Sequence, residues 1–327
     1  MNKEGVLVTG GMGFIGKFLE RKILNETDYN ITIVDNLSSS VLDEKIANDK
    51  RVQFIEEDFS EWALPDNEKY FQIYHLASPV GPVGVLKYKG KIGKIIIEQT
   101  YKAAEIAIKM GAKLIDISTS EVYGKNPDDE NEGQREDINK VVPPNITVRL
   151  EYGVSKLLSE IMLKNLSIDF PLKYNCIRPF NIIGPSQNDE LGFVMPRFLR
   201  QALSGEPITI YGDGKQKRTF THVEDLVDGI FMVMESDING EIFNIGNPRN
   251  VISIRELAEK IKEATNSYSE INLVNPKELF GDEFAEAWNK IPNVDKLVKA
   301  VGWKPRWSID DIISEAAILN QGYLIKK

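Results

Sequence analysis

The sequence predicts an α/β protein built on a doubly wound parallel sheet, with a smaller C-terminal lobe that also combines helices and strands. Short apolar segments rich in β-branched residues alternate with helical segments through the first half of the chain. A glycine-rich turn, residues 10–16, joins the first of these segments to a helix. Such alternation is typical of parallel sheets, because each crossover between parallel strands needs a connection about as long as a helix.

Five segments of the first half are predicted strands, since each is a short apolar run bounded by polar or turn residues. They are residues 6–9, 31–34, 52–55, 73–76 and 114–118. Between the first two, apolar residues recur at the spacing of a helix. These residues are Phe14, Ile15, Phe18, Leu19 and Ile23. A right-handed crossover helix packed on the sheet would present such a face.

Two breaks rich in Gly, Pro and charged residues divide the rest of the chain. Residues 124–144 predict a long surface loop, and residues 184–189 precede a helical stretch at 193–204. Beyond Gly246 helical patterns prevail, and residues 253–264 place their apolar side chains on one face.

The composition excludes several classes of function. The chain has 327 residues, of which 42% are hydrophobic and 27% charged, so it predicts a globular fold with a large core. A net charge of -9 disfavours a general nucleic-acid surface. No run approaches the ~18 apolar residues of a membrane-spanning helix. The first predicted strand begins close to Met1, so we expect no signal peptide, no membrane partner and a cytoplasmic location.

Cysteine and histidine are too scarce for a disulfide or a metal site built from them. The one cysteine, Cys176, lies in an apolar stretch, where a buried structural thiol is expected. The two histidines, His75 and His222, lie far apart in different sequence settings. We therefore predict no bound metal.

The first predicted strand runs directly into the sequence GGMGFIG, residues 10–16, which opens the first predicted helix. Gly10 permits a tight turn, Gly13 lets backbone amides approach a pyrophosphate, and Gly16 allows close helix packing. Asp35 lies 19 residues after Gly16, at the end of the second predicted strand. A carboxylate there accepts both ribose hydroxyls and repels a 2′-phosphate, so NAD is predicted rather than NADP. The alternative is a glycine turn that binds no nucleotide.

A tyrosine and a lysine four residues apart form the first catalytic candidate. Tyr152 and Lys156 lie near the start of a predicted helix, where this spacing places both side chains on one face. A neighbouring cation stabilises phenolate, so we expect Lys156 to bring the pKa of Tyr152 down towards the working pH. Lys156 is also a candidate to hold the nicotinamide ribose. The alternative is an ordinary Tyr and Lys on a solvated helix face.

A second catalytic candidate, residues 118–124, follows the last of the five predicted strands. Ligands bind at the carboxyl ends of such strands, so these side chains are expected in the cleft. Thr119 is placed to share the hydrogen of a substrate hydroxyl with Tyr152. Ser120 and Glu121 would flank a sugar, and Glu121 is the segment's only candidate for proton transfer or for orienting water. The alternative is that these residues form a helix cap.

These motifs resemble, over essentially the whole chain, the extended short-chain dehydrogenase/reductases, or NAD-dependent epimerase/dehydratase family. The residues that carry the resemblance are 10–16, Asp35, 75–77, Thr119, Tyr152, Lys156, the RPFNIIGP segment at 178–185 and the stretch 211–225. The resemblance implies a Rossmann-type fold, NAD as cofactor and a UDP-linked nucleotide sugar as the substrate.

The resemblance also assigns roles residue by residue. It implies that the cofactor-binding residues are Gly10, Gly13, Phe14, Ile15, Gly16, Asp35, Asn36, Asp58, Leu76, Ala77, Tyr152 and Lys156. It implies that the substrate-binding residues are Ser120, Arg149, Asn181, Arg197, Tyr211, Gln216, Arg218 and Lys290. The implied catalytic residues are Thr119, Glu121, Tyr152, Lys156 and Arg218. Asp58 is the candidate adenine contact, and Asn181 the candidate contact of the diphosphate or sugar.

The same resemblance predicts the domain organisation and the assembly. Residues 1–179 are expected to form the NAD-binding domain, to which residues 220–250 return. Residues 180–219 and 251–327 are expected to form a nucleotide-sugar-binding lobe that covers the cleft. A homodimer is implied, formed through the helices of residues 98–110 and 153–165.

The triplet Thr119-Ser120-Glu121, taken with Arg218, resembles UDP-glucuronate decarboxylases. In these enzymes the C4 hydroxyl is oxidised, carbon dioxide leaves the 4-keto sugar, and hydride returns. Three positions depart from that pattern: Val85 replaces an aromatic residue, Ile96 replaces Asn, and Lys290 replaces Arg. The loop at 80–94 is also unusual, and would suit an N-acetylated hexuronic acid.

Other functions stay open from the sequence. The alternatives are a nucleotide-sugar 4,6-dehydratase, a 4- or 5-epimerase, and a non-catalytic NAD-binding regulatory module. A dehydratase generally carries Asp as the acid towards the leaving hydroxyl, and Ser120 is a poor substitute for it. Glu121 argues against a simple 4-epimerase, which tends to lack an acid there.

Overall fold

The computed structural model describes residues 4–124, 133–144, 146–185, 187, 192–275 and 290–324. Its main feature is a seven-stranded parallel sheet with strand order β11-β6-β5-β4-β1-β2-β3. The strands are β1 Glu4–Thr9, β2 Asn30–Asp35, β3 Val52–Glu56, β4 Lys69–His75, β5 Lys113–Ile117, β6 Lys173–Pro179 and β11 Glu241–Ile245. The predicted α/β fold with a doubly wound parallel sheet is confirmed.

Helices cover both faces of this sheet. The helices of the first half are α1 Phe14–Glu26, α2 Glu44–Ala47, α3 Gly81–Lys87, α4 Ile92–Met110 and α5 Val148–Asp169. The other helices are α6 Val194–Ser204, α7 Val223–Glu235, α8 Ile254–Ala264, α9 Asp295–Val301 and α10 Ile309–Leu324. Four of them, α1, α4, α5 and α7, supply most of the helical side chains that bury the sheet.

The alternation of side chains along β1 shows how the two faces are filled. Val6 and Val8 point to the face covered by α1 and α7, where they pack with Leu19 and Leu226. Leu7 points to the opposite face, which α4 and α5 cover. Residues 6 to 8 are fully buried. Because helices cover both faces of this parallel strand, its sequence is a continuous run of apolar residues.

The smaller lobe has its own apolar core, built from α6, α8, α10 and short strands. Those strands pair as β8 Ile208–Tyr211 with β13 Ile271–Val274, and as β9 Lys217–Thr219 with β12 Val251–Ser253. β7 Ile182–Ile183 pairs with β10 Thr221–His222. Within the stretch 251–327, Leu297 and Trp303 pack instead into the core of the large sheet. The domain boundaries given above stay a prediction.

The predicted surface loop at 124–144 is only partly a loop on the surface. Residues 125–132 lie outside the described residues. Gln134 is buried and pairs with Pro292, and Gly124 pairs with Val141. The Asn244 side chain donates a hydrogen bond to the Gln134 carbonyl at 2.7 Å. These bonds anchor the buried part of the segment, while Arg135, Asp137 and Val142 are exposed, so the described residues 133–144 form a loop that is fixed at a few points.

Two observations concern the described ranges only. No helix there is long and apolar enough to cross a bilayer. No group of three or more His, Cys, Asp or Glu side chains within the same ranges is arranged to hold a metal ion.

Candidate active site

The glycine turn between β1 and α1 lies at the carboxyl end of the sheet. Gly10 has φ +69°, and a Cβ on it would lie 2.7 Å from the Ala77 backbone nitrogen. A Cβ on Gly16 would lie 2.2 Å from the Gly11 carbonyl oxygen. Glycine is therefore required at both positions, because any side chain would collide with backbone.

The N-terminus of α1 is open to an anionic ligand. Gly13 is its N-cap and supplies no side-chain hydrogen bond, so the first-turn amides near Phe14 and Ile15 have no side-chain cap. Uncapped amides together with the helix dipole favour a phosphate group. A glycine turn without side chains at an uncapped helix end fits the pyrophosphate of a dinucleotide.

Asp35 is fixed beside this turn at the end of β2. Its carboxylate accepts hydrogen bonds from the Met12 amide at 2.9 Å and the Leu37 amide at 2.8 Å. Asn36, the next residue, donates to the Asp58 carboxylate at 2.8 Å. The ends of β2 and β3 therefore bring together the three side chains predicted to contact the adenosine part of NAD.

The end of β4 closes the other side of the turn. The Leu76 amide donates to the Thr9 carbonyl at 3.0 Å, and the Ala77 amide to the Thr9 hydroxyl at 3.4 Å. The same hydroxyl is 2.7 Å from Nδ1 of His75. Burial lowers the pKa of His75 to about 3, and the charge of Lys156 acts in the same direction. His75 is therefore a neutral structural residue.

Tyr152 and Lys156 share one face of α5 and are both buried. Burial raises the pKa of Tyr152 well above its ordinary value, a hydrogen bond with Thr119 opposes this rise, and the charges of Glu121 and Asp116 add to it. Our expectation of a lowered pKa was wrong. The Lys156 ammonium donates to the Ile117 carbonyl at 2.7 Å, and its largest opposite charge is Asp116. Its charge is thus engaged away from the phenol.

Thr119 caps a short helix and also contacts Tyr152, while its role towards a substrate hydroxyl stays a prediction. Its hydroxyl accepts a hydrogen bond from the Glu121 amide at 3.2 Å and caps the short 3-10 helix Ser120–Tyr123. The same side chain forms a hydrogen bond with Tyr152. The cap therefore fixes Thr119 next to the phenol, and Ser120 lies buried beside it.

Glu121 is surrounded by cations. Arg149 donates to it through Nε and Nη2, at 2.7 Å each, and the Lys290 ammonium donates to the same carboxylate. Burial alone would raise the pKa of Glu121, but the charges of Lys290 and Arg149 outweigh it and hold the pKa well below its usual range. Glu121 is therefore a carboxylate in this arrangement.

Arg218 adds a third cation to this group. Its backbone pairs with that of Lys290, and its charge acts on Lys290. Burial lowers the pKa of Lys290 to about 8, with Arg149 and Arg218 acting in the same direction and Glu121 opposing. Arg149 and Lys290 bind the Glu121 carboxylate and Arg218 acts on Lys290, so this group has an excess of positive charge. This excess favours an anionic ligand.

The remaining predicted substrate residues lie at the edge of the smaller lobe. The Arg197 guanidinium stacks 4.0 Å from the ring centre of Tyr211, and the Gln216 side chain donates to the Tyr211 carbonyl at 3.1 Å. Asn181 adopts φ +41°, and its side chain donates to the Thr219 carbonyl at 2.8 Å. Arg197, Tyr211 and Gln216 thus form one group.

Two buried features next to Lys156 were missed from the sequence. Asp116 on β5 is fully buried and faces Lys156, and an acid inside an apolar strand was the available signal. The Glu160 carboxylate binds Arg178 at 2.5 and 2.8 Å and accepts from the Ser118 hydroxyl at 2.5 Å. No local pattern indicates that pairing.

Comparison with known proteins gives one consistent family. The model of the NAD dependent epimerase/dehydratase family matches residues 6–246. The chain is 32% identical over 317 residues to UDP-N-acetyl-alpha-D-glucosaminuronate decarboxylase of Bacillus cytotoxicus, covering 96% of each chain. It is 33% identical over 303 residues to UDP-glucuronic acid decarboxylase 5 of Arabidopsis thaliana, covering 92% of this chain and 84% of that one.

A solved structure agrees with these relatives. UDP-glucose 4-epimerase with UDP-glucose, from Thermotoga maritima, matches with a TM-score of 0.81 at 25% identity, covering 98% of this chain and 99% of that one. The cofactor is NAD, and the protein is an NAD-dependent nucleotide-sugar enzyme. From its sheet, its glycine turn and these matches, the chain belongs to the NAD-dependent epimerase/dehydratase family.

Proposed function

We propose that this enzyme decarboxylates a UDP-linked hexuronic acid through a 4-keto sugar. The observation that carries the proposal is a group of three cations that meets one carboxylate. Arg149 and Lys290 bind Glu121, and the charge of Arg218 acts on Lys290. Their net positive charge suits a substrate that brings a carboxylate at carbon 6 as well as a diphosphate.

The residues around the glycine turn would hold NAD. The amides at the start of α1 would bind its pyrophosphate, Asp35 its adenosine ribose, and Lys156 its nicotinamide ribose. Asn36 and Asp58 would lie near the adenine, and Leu76 and Ala77 would line the cofactor. NAD supplies the acceptor for the hydride that leaves carbon 4 and returns it at the end.

Tyr152 would act as the general base. Its phenolate takes the proton of the C4 hydroxyl, and Thr119 shares that hydrogen through the bond that now joins the two side chains. Burial holds the phenol of Tyr152 protonated in the free enzyme. When NAD and the sugar are bound, nearby positive charges must therefore stabilise the phenolate that accepts the C4 proton. Tyr152 returns the proton to the same oxygen when the ketone is reduced.

Loss of carbon dioxide follows from the ketone. The bond between carbons 5 and 6 breaks, and its electron pair moves into the C4 ketone as an enolate. Carbon 5 then takes one proton from solvent, so the overall reaction consumes one proton and yields carbon dioxide and a UDP-pentose. Arg218 and Lys290 would bind the carboxylate before it leaves, and Glu121 would hold these cations in place.

A 4,6-dehydratase fits the same residues less well. Elimination at carbon 6 needs a protonated acid towards the leaving hydroxyl. Ser120 cannot supply one, and the pKa of Glu121 is held well below its usual range. The names of the two relatives quoted above, both hexuronate decarboxylases, also favour decarboxylation. One of those names specifies an N-acetylated sugar, so both kinds of hexuronate are candidates.

Proton NMR of the enzyme with NAD tests this proposal. The four substrates are UDP-glucuronate, UDP-N-acetylglucosaminuronate, UDP-glucose and UDP-N-acetylglucosamine. We expect a pentose product from at least one hexuronate and no change in the neutral sugars. A 4-keto-6-deoxy product from a neutral sugar would establish a dehydratase, and a 4-epimer would establish an epimerase. No product from any sugar would favour the non-catalytic module.

We propose further that Asn181, Arg197, Tyr211 and Gln216 bind the nucleotide and its diphosphate. Arg197, Tyr211 and Gln216 form one group at the edge of the cleft, and a stacked guanidinium is a suitable contact for phosphate or a base. The smaller lobe would then close the nucleotide end of the site. Replacing Arg197 with Ala should weaken UDP binding, measured by calorimetry, and leave NAD binding unchanged.

We propose that the enzyme is a cytoplasmic homodimer. The outer faces of α4 and α5 expose apolar side chains that a second copy would bury. These are Tyr101 at 43%, Val154 at 40%, Leu158 at 49% and Ile161 at 48% of their surface. Light scattering should give twice the chain mass, and Leu158→Glu should give a monomer. Cell fractionation tests the location.

A further inference from the structure

Residues 81–91, here called the cap segment, cover the catalytic tyrosine. The segment comprises α3 and the turn that leads into α4. Val85 of α3 is buried in one cluster with Ile92, Ile96 and Tyr152. Val85 therefore links the cap segment to the apolar cluster that contains Tyr152. A shift of the cap segment would move the side chains of this cluster.

One carboxylate from α5 binds the end of the cap segment. Oε2 of Glu151 accepts a hydrogen bond from the Gly90 amide at 2.7 Å, and Oε1 accepts from the Gly93 amide at 3.2 Å. The N-cap of α4, Lys91, makes no side-chain cap bond of its own. Glu151 thus takes the capping role from another helix, and its charge suits the N-terminus of a 19-residue helix.

The glycines at this corner allow the close approach of the two helices. A Cβ on Gly93 would lie 2.9 Å from the Ser155 hydroxyl and 3.6 Å from Glu151 Oε1. Gly90 has φ +74°, which other residues rarely adopt. The Ser155 hydroxyl donates to the Glu151 carbonyl at 2.6 Å, which fixes the backbone at this turn of α5. The two glycines therefore leave room for the Glu151 carboxylate to reach both backbone amides.

We propose that Glu151 is a positioning residue that holds the cap segment over Tyr152 and so fixes the wall against which the reacting sugar lies. It acts through the backbone of Gly90 and Gly93 and through Val85, and it touches neither sugar nor cofactor. Because Glu151 and Tyr152 are adjacent on α5, one helix carries both the proposed base and the residue that holds the cap segment over it. The proposal rests on the proposed function, since it takes Tyr152 as the base.

Hydrogen exchange of the holoenzyme with NAD tests the anchor directly. In Glu151→Ala we expect the Gly90 and Gly93 amides to exchange at least tenfold faster, as a lost charge-assisted hydrogen bond implies about this factor. In Glu151→Gln, which keeps an acceptor oxygen, protection should be partly retained. Glu98→Ala is the matched control, because Glu98 is an exposed residue of α4 that pairs only loosely with Lys94, at 3.6 Å.

Kinetics on the hexuronate that is turned over test the consequence. We expect kcat/KM to fall by about tenfold in Glu151→Ala, with Glu151→Gln in between. The Kd values of NAD and UDP should stay within about twofold, because none of the residues assigned to their sites lies in the cap segment. Unchanged exchange at both glycines would overturn the anchor. Faster exchange with unchanged kcat/KM would overturn the positioning role. The proposed function fails separately, on the wild-type enzyme, if no hexuronate releases carbon dioxide.

Discussion

The Arg149 guanidinium binds the Glu121 carboxylate through two hydrogen bonds of 2.7 Å, one from Nε and one from Nη2. This fork joins α5, which carries Tyr152, to the segment after β5, which carries Thr119. Lys290, from a distant part of the chain, binds the same carboxylate. Glu121 is thus the point at which three parts of the site meet.

Glu121→Gln should lower activity while leaving the fold intact. The amide keeps the size of the side chain but loses the charge that binds Arg149 and Lys290. Loss of charged hydrogen bonds costs about 1.5 to 3 kcal/mol, so kcat/KM for the hexuronate should fall by about tenfold to a hundredfold. Steady-state kinetics measure this, with Glu98→Gln as control. Wild-type kinetics in the variant would show that Glu121 does not organise the site.

The pH dependence of kcat/KM should report the loss of the positive charge of Lys290. Its pKa is about 8, so the free enzyme loses this cation as the pH rises through about 8. We therefore expect kcat/KM to fall above that pH, because this quantity reports groups of the free enzyme. In Lys290→Arg the alkaline fall due to this residue should disappear, since a guanidinium stays charged. An identical fall in the variant would assign it to another group.

Tyr152→Phe should slow turnover strongly while NAD still binds, because Phe keeps the ring and Lys156 remains to hold the nicotinamide ribose. The phenol oxygen is the base in the proposed reaction, and general-base catalysis contributes about a hundredfold to ten-thousandfold. We expect kcat to fall by that factor and the Kd of NAD to stay within about twofold by calorimetry. Tyr268→Phe, on a side chain that is 98% exposed, is the control. Substantial turnover by Tyr152→Phe would place the base elsewhere.

Asp116→Asn should change how stability depends on pH. Burial raises the pKa of Asp116 to about 6, Lys156 opposes this, and Glu160 adds to it. A raised carboxyl pKa means that the folded protein holds this proton more tightly, so its contribution to stability is lost as pH rises from about 4 to about 6. Asn cannot ionise. Its free energy of unfolding relative to wild type should therefore rise by about 2 kcal/mol between pH 4 and pH 7.5.

Urea denaturation of both proteins at the two pH values measures this difference. His75, whose pKa is lowered to about 3, makes stability fall towards acid pH. That effect is common to wild type and variant, so it cancels in the comparison. A difference that does not depend on pH would show that Asp116 is ionised alike in the folded and unfolded chains.

The sequence predicted the parts of the fold that depend on local pattern. The strands β1 to β5 are apolar runs, and the glycine turn has a fixed spacing, so both could be identified. The strands β6 and β11 were not predicted, because buried polar residues interrupt them. Asn175, Arg178 and Asn244 are fully or almost fully buried there, and they satisfy their hydrogen bonds with distant partners.

The same limit applies to the site. Residues of short motifs, such as Thr119, Tyr152 and Lys156, were identified because their spacing carries the geometry. The contact of Lys290 with Glu121 joins residues 169 positions apart, and no local pattern indicates it. The lowered pKa expected for Tyr152 was wrong because burial, which a sequence does not quantify, raises it, and the charges of Glu121 and Asp116 add to that rise.

The fate of carbon 6 tests the central claim most directly. UDP-glucuronate and UDP-N-acetylglucosaminuronate, each labelled with carbon-13 at carbon 6, would be followed by carbon-13 NMR with enzyme and NAD. The account predicts that the label of at least one substrate appears as carbon dioxide and bicarbonate, in step with a UDP-pentose and without net reduction of NAD. Retention of the label in a six-carbon nucleotide sugar would contradict it.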